Sequence, residues 1–254
     1  MPKAPRPPLH FLQALVRGAA LAAALVAVSP AASLAQSQIK SAKFSEPTTR
    51  YAHGVLGDDI EYGALEIRVE NNGAEVLKKV TLPLNRVFED IKPRLIDLTG
   101  DGALEVVVVE SQADTGAQLS VYDAKGQKLA ATPHIGQANR WLAPIGAADF
   151  DGDGHIEIAY IDRPHLAKTL RLWRFKNGQL RQVAALEGLT NHKIGWDFIA
   201  SGVRDCGNGP EMITADARWQ HIMATRFDGK TIAARRVGPY RGPDSINQAL
   251  SCPK

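Results

Sequence analysis

The chain has 254 residues, 44% hydrophobic and 22% charged, a composition that excludes a disordered or collagen-like polymer and allows one large domain or two small ones. Lys and Arg number 30 against 27 Asp and Glu, a formal +3, but Lys3, Arg6 and Arg17 fall in the first 35 residues, which hold no acid. The remainder is formally neutral, which argues against sequence-independent nucleic-acid binding, because that needs a surplus of cations to displace counterions.

Residues 1–35 read as a secretory signal. Lys3, Arg6 and Arg17 precede an apolar run from Gly18 to Val28, Pro30 breaks it, and Ser33 and Ala35 are the small residues of a cut before Gln36. An uncleaved anchor is the competing reading. Eleven apolar residues are short for a bilayer core, which needs about 20. No cysteine lies near the cut, and no second apolar run follows, so the expected mature chain, 36–254, has no transmembrane segment and is periplasmic or secreted.

The mature chain repeats. Gly63–Gly73, Gly116–Gly126, Lys168–Gly178 and His221–Gly229 are similar β-rich runs whose closing glycines stand 53, 52 and 51 residues apart. Each glycine precedes another such run (Val76–Leu82, Lys128–Thr132, Leu180–Leu186, Thr231–Val237), the pattern of a hairpin with a glycine turn. A second hairpin precedes the first. Its turns are Asp97–Gly102 and Asp149–Gly154, and the strands after them (Leu104–Glu110, Ile156–Ile161) are apolar on both faces, as in sheets packed between sheets. Four short strands per unit of about 52 residues predict an all-β fold, a β-propeller of about four four-stranded blades, with five blades or an incomplete ring as alternatives. The units are 36–84, 85–138, 139–190 and 191–237, with a tail at 238–254. Asn85-Arg86, Asn139-Arg140 and Asn191-His192 mark the connections between them.

The acidic turns carry the chemistry. Asp149, Asp151, Asp153 and Glu157 are positions 1, 3, 5 and 9 of one loop, with Gly154 at the bend. Four carboxylates within nine residues repel unless a cation neutralises them. Ca²⁺ takes six to eight hard oxygens, and the carbonyl of His155 at position 7 adds one; Mg²⁺, with its stricter octahedron, is the second choice. Asp97, Thr99, Asp101, Ala103 and Glu105 repeat the frame with one carboxylate fewer, hence lower expected affinity. In the third copy only Asp205 and Glu211 remain, and no metal is expected. The plainer alternative for both loops is a solvated Asp-Gly turn.

These loops, each followed by a strand within such repeats, resemble the FG-GAP/VCBS repeat family, the calcium-loop propeller repeats also seen in integrin α chains and in many secreted bacterial proteins. The resemblance covers units two and three well, the fourth weakly, and the first only in its second hairpin. It implies Ca²⁺, one or two ions, held by Asp149, Asp151, Asp153, His155 and Glu157, then by Asp97, Thr99, Asp101, Ala103 and Glu105. The family's ninth residue is usually Asp, so Glu is a departure, as are four units where seven are common. Its members are mostly adhesion or binding modules.

No zinc-protease motif, nucleophile elbow or phosphate loop is present. Arg140-Trp141 and His192 with Trp196-Asp197 are expected to begin innermost strands and to cluster near one mouth of the channel, where an Arg and two Trp suit an anion, a sugar or a peptide. Inter-blade packing is the plainer role for them, as it is for Trp173 and Trp219. Asp162-Arg163-Pro164-His165 reads as a turn with an Arg–Asp pair. Cys206 and Cys252, an even pair in an oxidising compartment, predict a disulfide that pins the tail; inert thiols and a metal pair are the alternatives. The function expected is an exported, calcium-binding, non-enzymatic propeller that binds a protein or glycan. The alternative is an envelope enzyme, a hydrolase or lyase, working at the mouth.

Overall fold

The computed structural model describes residues 1–4 and 37–252. The expected export segment and its expected cut therefore lie outside the described residues, apart from the first four. Contacts divide the chain into Met1–Leu34 and Ala35–Lys254, and every element below belongs to the second unit.

Sheet one is β1 (Gln38–Thr48), β2 (Glu61–Asn71) and β3 (Ala74–Thr81). The short β4 (Arg86–Phe88) pairs with both β2 and the second sheet, and joins the two. Sheet two is β5 (Arg94–Ile96), β6 (Glu105–Gln112), β7 (Gly116–Tyr122) and β8 (Lys128–Ala131). Sheet three is β9 (Leu142–Ala148), β10 (Glu157–Asp162), β11 (Thr169–Lys176) and β12 (Gln179–Glu187). After the two-residue β13 (Leu189–Thr190) comes sheet four: β14 (Gly202–Asp205), β15 (Pro210–Asp216), β16 (His221–Phe227) and β17 (Ile232–Pro239). This is a β-propeller-like stack of antiparallel meanders with the expected period. Among the described residues the first sheet has three strands where four were expected.

The doubly apolar strands pack as their sequence requires. Val106 and Val108 face sheet one with Leu65 and Phe88, while Val107 and Val109 face sheet three with Leu142 and Ile158. Ala159 and Ile161 on the next blade point to sheet four, against Met212 and Phe227. Each layer is an interior built from alternate side chains of one central strand. The outer strands β3, β12 and β17 are largely exposed or half-buried, as outer strands of blades are. The β2–β3 and β11–β12 hairpins turn at Asn72-Gly73 and Asn177-Gly178, all four with positive φ, as a two-residue turn of this hand demands.

The tail holds an element that the sequence reading lacked. Pro243–Leu250 is a helix, α1, packed on β14, β15 and β16. It is too short to show a helical period. Pro243 opens it, and burial of Ile246 against Ile213, Ile222 and Ala224 holds it where a further sheet would pack. The Cys206–Cys252 disulfide, with Cα atoms 5.6 Å apart, ties its end to the β14–β15 turn. No helix of the described residues is long and apolar enough to cross a membrane.

Candidate functional site

The two acidic loops share one backbone frame. In the first, Asp97 accepts the N–H groups of Gly100 (2.7 Å) and Gly102 (2.9 Å), and Glu105 accepts that of Leu98 (2.8 Å). In the second, Asp149 accepts those of Gly152 (2.7 Å), Asp153 (3.1 Å) and Gly154 (2.9 Å), and Glu157 accepts that of Phe150 (3.0 Å). The glycines stand at positive φ in both, +74° and +84°, then +76° and +85°, which the tight curl requires.

The loops differ in their charges. Asp149, Asp151 and Asp153 each present one oxygen, all within 4.8 Å of one another. Among the described residues this is the one such group of three acidic, His or Cys side chains. The donor set of hard oxygens fits a calcium ion. It also has an internal counter-ion. Arg174 on β11 lies 2.5 Å from Asp151, 2.8 Å from Asp153 and 2.5 Å from Glu157. Glu157 is fully buried, with one oxygen on Arg174 and the other on the Phe150 amide, so in this structure it braces the loop from behind. The β10–β11 register places Arg174 opposite Glu157. In sheet two the Val106–Tyr122 pair leaves Asp123 across from Glu105. Burial raises the Glu105 carboxyl, and Asp101, Asp97 and Asp123 add to the rise. His155 and Ala103 lie at the loop ends, beside the β10 and β6 strands. The amide of His155 donates to Asp153 (3.0 Å) and that of Ala103 to Asp101 (2.8 Å). Thr99 lies in the exposed bend.

In the fourth sheet Glu211 replaces the loop. Its oxygens take Arg204 (2.9 Å), Arg226 (2.7 Å) and Arg235 (2.7 Å). Burial raises this carboxyl, but the three arginines outweigh it and hold it down at about 2.

The four mouth residues do not face one space. Arg140 and Trp141 line a cavity of about 250 Å³ together with His53, Arg163 and His165. His192 sits behind it, almost fully buried, its Nε2 donating to the Trp196 carbonyl (2.9 Å) and its Nδ1 facing His165 Nε2 at 3.0 Å. Trp196 meets the His192 ring edge-on (6.3 Å) but lies outside the cavity lining, packed on Phe198 and Trp219. The inner strand of sheet four starts at Gly202, after a loop that carries His192 and Trp196, so those two do not begin it. The Asp162–Arg163 pair forms as expected (2.8 Å).

Sequence reading missed the acid behind His53, which lines this cavity. Glu89, fully buried, bonds His53 Nδ1 at 2.5 Å and accepts the Ser111 hydroxyl, and its carbonyl accepts the Trp141 indole N–H (2.8 Å). Burial pushes its carboxyl up, and His53 opposes that. His53 and Glu89 are 36 residues apart in no motif, so no local signal marks them. Burial, then the His192 ring, pushes His165 down to about 4, so it is neutral at physiological pH. Gly116 lets the loops meet here: a Cβ on it would stand 2.3 Å from the Gln137 carbonyl oxygen and 2.7 Å from that of Arg140.

Residues 97–160, which carry both acidic loops, match the model of the FG-GAP-like repeat. No curated protein matches the chain. Among solved structures it is similar to the exotype rhamnogalacturonan lyase YesX (16% identity, TM-score 0.39, 68% of this chain and 40% of that one). It is also similar to the Bacillus licheniformis rhamnogalacturonan lyase PL11 (16%, 0.40, 74% and 44%) and to the V. cholerae biofilm matrix protein Bap1 (14%, 0.27, 72% and 33%). The chain spans less than half the length of each. At these scores the likeness extends no activity to it.

Proposed function

We propose that this chain, with its FG-GAP-like repeat, is an exported, calcium-stabilised propeller that binds a protein or glycan and is not an enzyme. One observation carries the reading: Asp149, Asp151 and Asp153 converge within 4.8 Å in the turn of a repeat that matches the FG-GAP model. The three aspartates and the His155 carbonyl would hold the ion, with Glu157 behind them. The loop from Asp97 to Glu105, with Thr99 at position 3, would hold a second ion more weakly. Calcium here is structural: it neutralises the turn between two strands and adds stability by mass action. The Cys206–Cys252 bond supports a periplasmic or secreted location.

A thermal melt of the purified chain in Ca²⁺ and in chelator, with bound metal counted, tests this. The expected result is a large Ca²⁺-dependent rise and one or two ions per chain, with one lost in Asp149→Ala/Asp153→Ala. Unchanged metal content in that variant would remove the site. A second reading, a hydrolase or lyase, is favoured by the pairing of half-buried His53 with buried Glu89 beside a cavity, because a carboxylate-oriented imidazole is suited to proton transfer. His53→Gln separates the two: it leaves binding and calcium response intact in the first reading and abolishes turnover in the second.

A further inference from the structure

We infer that the outer face of the last sheet is a binding site for an acidic oligosaccharide. A cavity of about 720 Å³ opens there between sheet four and α1. Arg204, Arg226, Arg235, Arg236 and Arg241 line it, and Glu211 is the one acid among its described lining residues. Five guanidinium groups against one carboxylate leave four positive charges in excess.

The arginines are pre-arranged. Glu211, 1% exposed, holds Arg204, Arg226 and Arg235 from beneath. Arg226 and Arg235 remain 45% and 56% exposed, so the outer parts of their forks meet solvent. A guanidinium whose orientation is already set loses less freedom when it takes a second oxyanion.

Position in the stack argues against another protein sheet as the occupant. The corresponding pair in sheet three, Glu157 with Arg174, lies in a blade that packs on sheet four. On sheet four, α1 covers the apolar part of the face, and the arginines occupy the part left open. Burying such a cluster against apolar surface would leave desolvated charges without partners. Ligand oxyanions meet that need, and planar forks take carboxylates or sulfates two bonds at a time. The neutral polar lining, Asn208, Ser245 and Gln248, suits sugar hydroxyls. Among its described lining residues no aromatic side chain is present to stack a base, which disfavours single-stranded nucleic acid. The volume suits a few sugar units.

The inference deepens the binding half of the proposed function and is independent of its calcium half. The test is calorimetric titration of the calcium-loaded chain with a hyaluronan tetrasaccharide (carboxylate), a heparin tetrasaccharide (sulfate), neutral maltotetraose and a thymidine dodecamer. At least one anionic sugar binds, more weakly as salt rises, and maltotetraose does not. Arg236→Ala/Arg241→Ala, two exposed lining arginines that do not hold Glu211, weakens that binding at least ~10-fold with unchanged melting temperature and calcium response. The two sugar arms tell carboxylate from sulfate. The site is overturned if neither anionic sugar binds, if the double variant binds as well as the parent, or if the dodecamer binds as tightly as the sugars. A calcium-dependent melt without sugar binding overturns this site alone; sugar binding without calcium dependence overturns the calcium reading alone.

Discussion

The Asp97 and Asp149 loops are nearly the same object in backbone terms and opposite in electrostatic terms. Both use a leading Asp to gather the amides of the turn, two glycines at positive φ, and a Glu that reaches back to the second residue. The frame therefore stands on its own hydrogen bonds in both. What differs is the strand behind it: Arg174 against the richer acidic set, Asp123 near the poorer one. Turn shape is a local property, but the charge a cation would meet is decided by a residue some twenty positions further along. The fourth sheet extends the series, with three arginines on Glu211 and a disulfide at the turn.

Several substitutions would break or sharpen that comparison. Cys206→Ser/Cys252→Ser has the largest expected effect, since opening a 46-residue loop costs about 4 kcal/mol and roughly 10 °C in melting temperature. Differential scanning calorimetry would show it, and an unchanged melt would mean that α1 packing alone secures the tail. Next, on the proposed calcium reading, Asp149→Ala/Asp153→Ala should remove one ion and, at Ca²⁺ a hundredfold above Kd, about 3 kcal/mol of stabilisation. Asp97→Ala/Asp101→Ala should remove less; the reverse order would put the stronger site in sheet two.

A control away from both loops lies in the first sheet. Burial, with Glu89 next in size, pushes the carboxyl of Glu61 up to about 9. Its folded value exceeds its unfolded one, so its contribution is full below about 4.5 and is lost as pH rises through 9. Glu61→Gln should raise the melting temperature at pH 8 by roughly 5 °C and leave it unchanged near pH 4. A uniform shift at both pH values would show that the gain does not come from ionisation. Arg174→Met, which uncovers three carboxylates, should lower the melt in chelator by a few °C and widen the gap between chelator and Ca²⁺. An unchanged gap would mean that Arg174 does not compete for the cation. The smallest effect belongs to Asp123→Asn: relieving one like charge beside Glu105 while keeping the turn acceptor should raise the chelator melt by about 2 °C or less.

Much of this was readable beforehand, and for a common reason. The 52-residue period, the Asn-Gly turns, the Asp-rich bends and the doubly apolar strands are all written over short stretches, where backbone sterics and alternation act. The cysteine pair needed only a count and a compartment. The readings that failed all required knowing which distant segments meet. Trp196 lies four residues from His192 and meets its ring edge-on, yet packs with Phe198 and Trp219 outside the cavity that Arg140 and Trp141 line. His53 and Glu89 share no pattern and meet because β4 bridges the first two sheets.

The sequence by itself determined an all-β repeat, its turns and the carboxylates that could face a cation. Only the tertiary structure decided which carboxylates have an arginine behind them, which aromatic rings share a cavity, and that a helix closes the last sheet beside an arginine-lined face. Hydrogen-bond register between strands sets those neighbours, and register is a property of the packed stack, where a shift of one residue would turn each side chain of a strand to the opposite face.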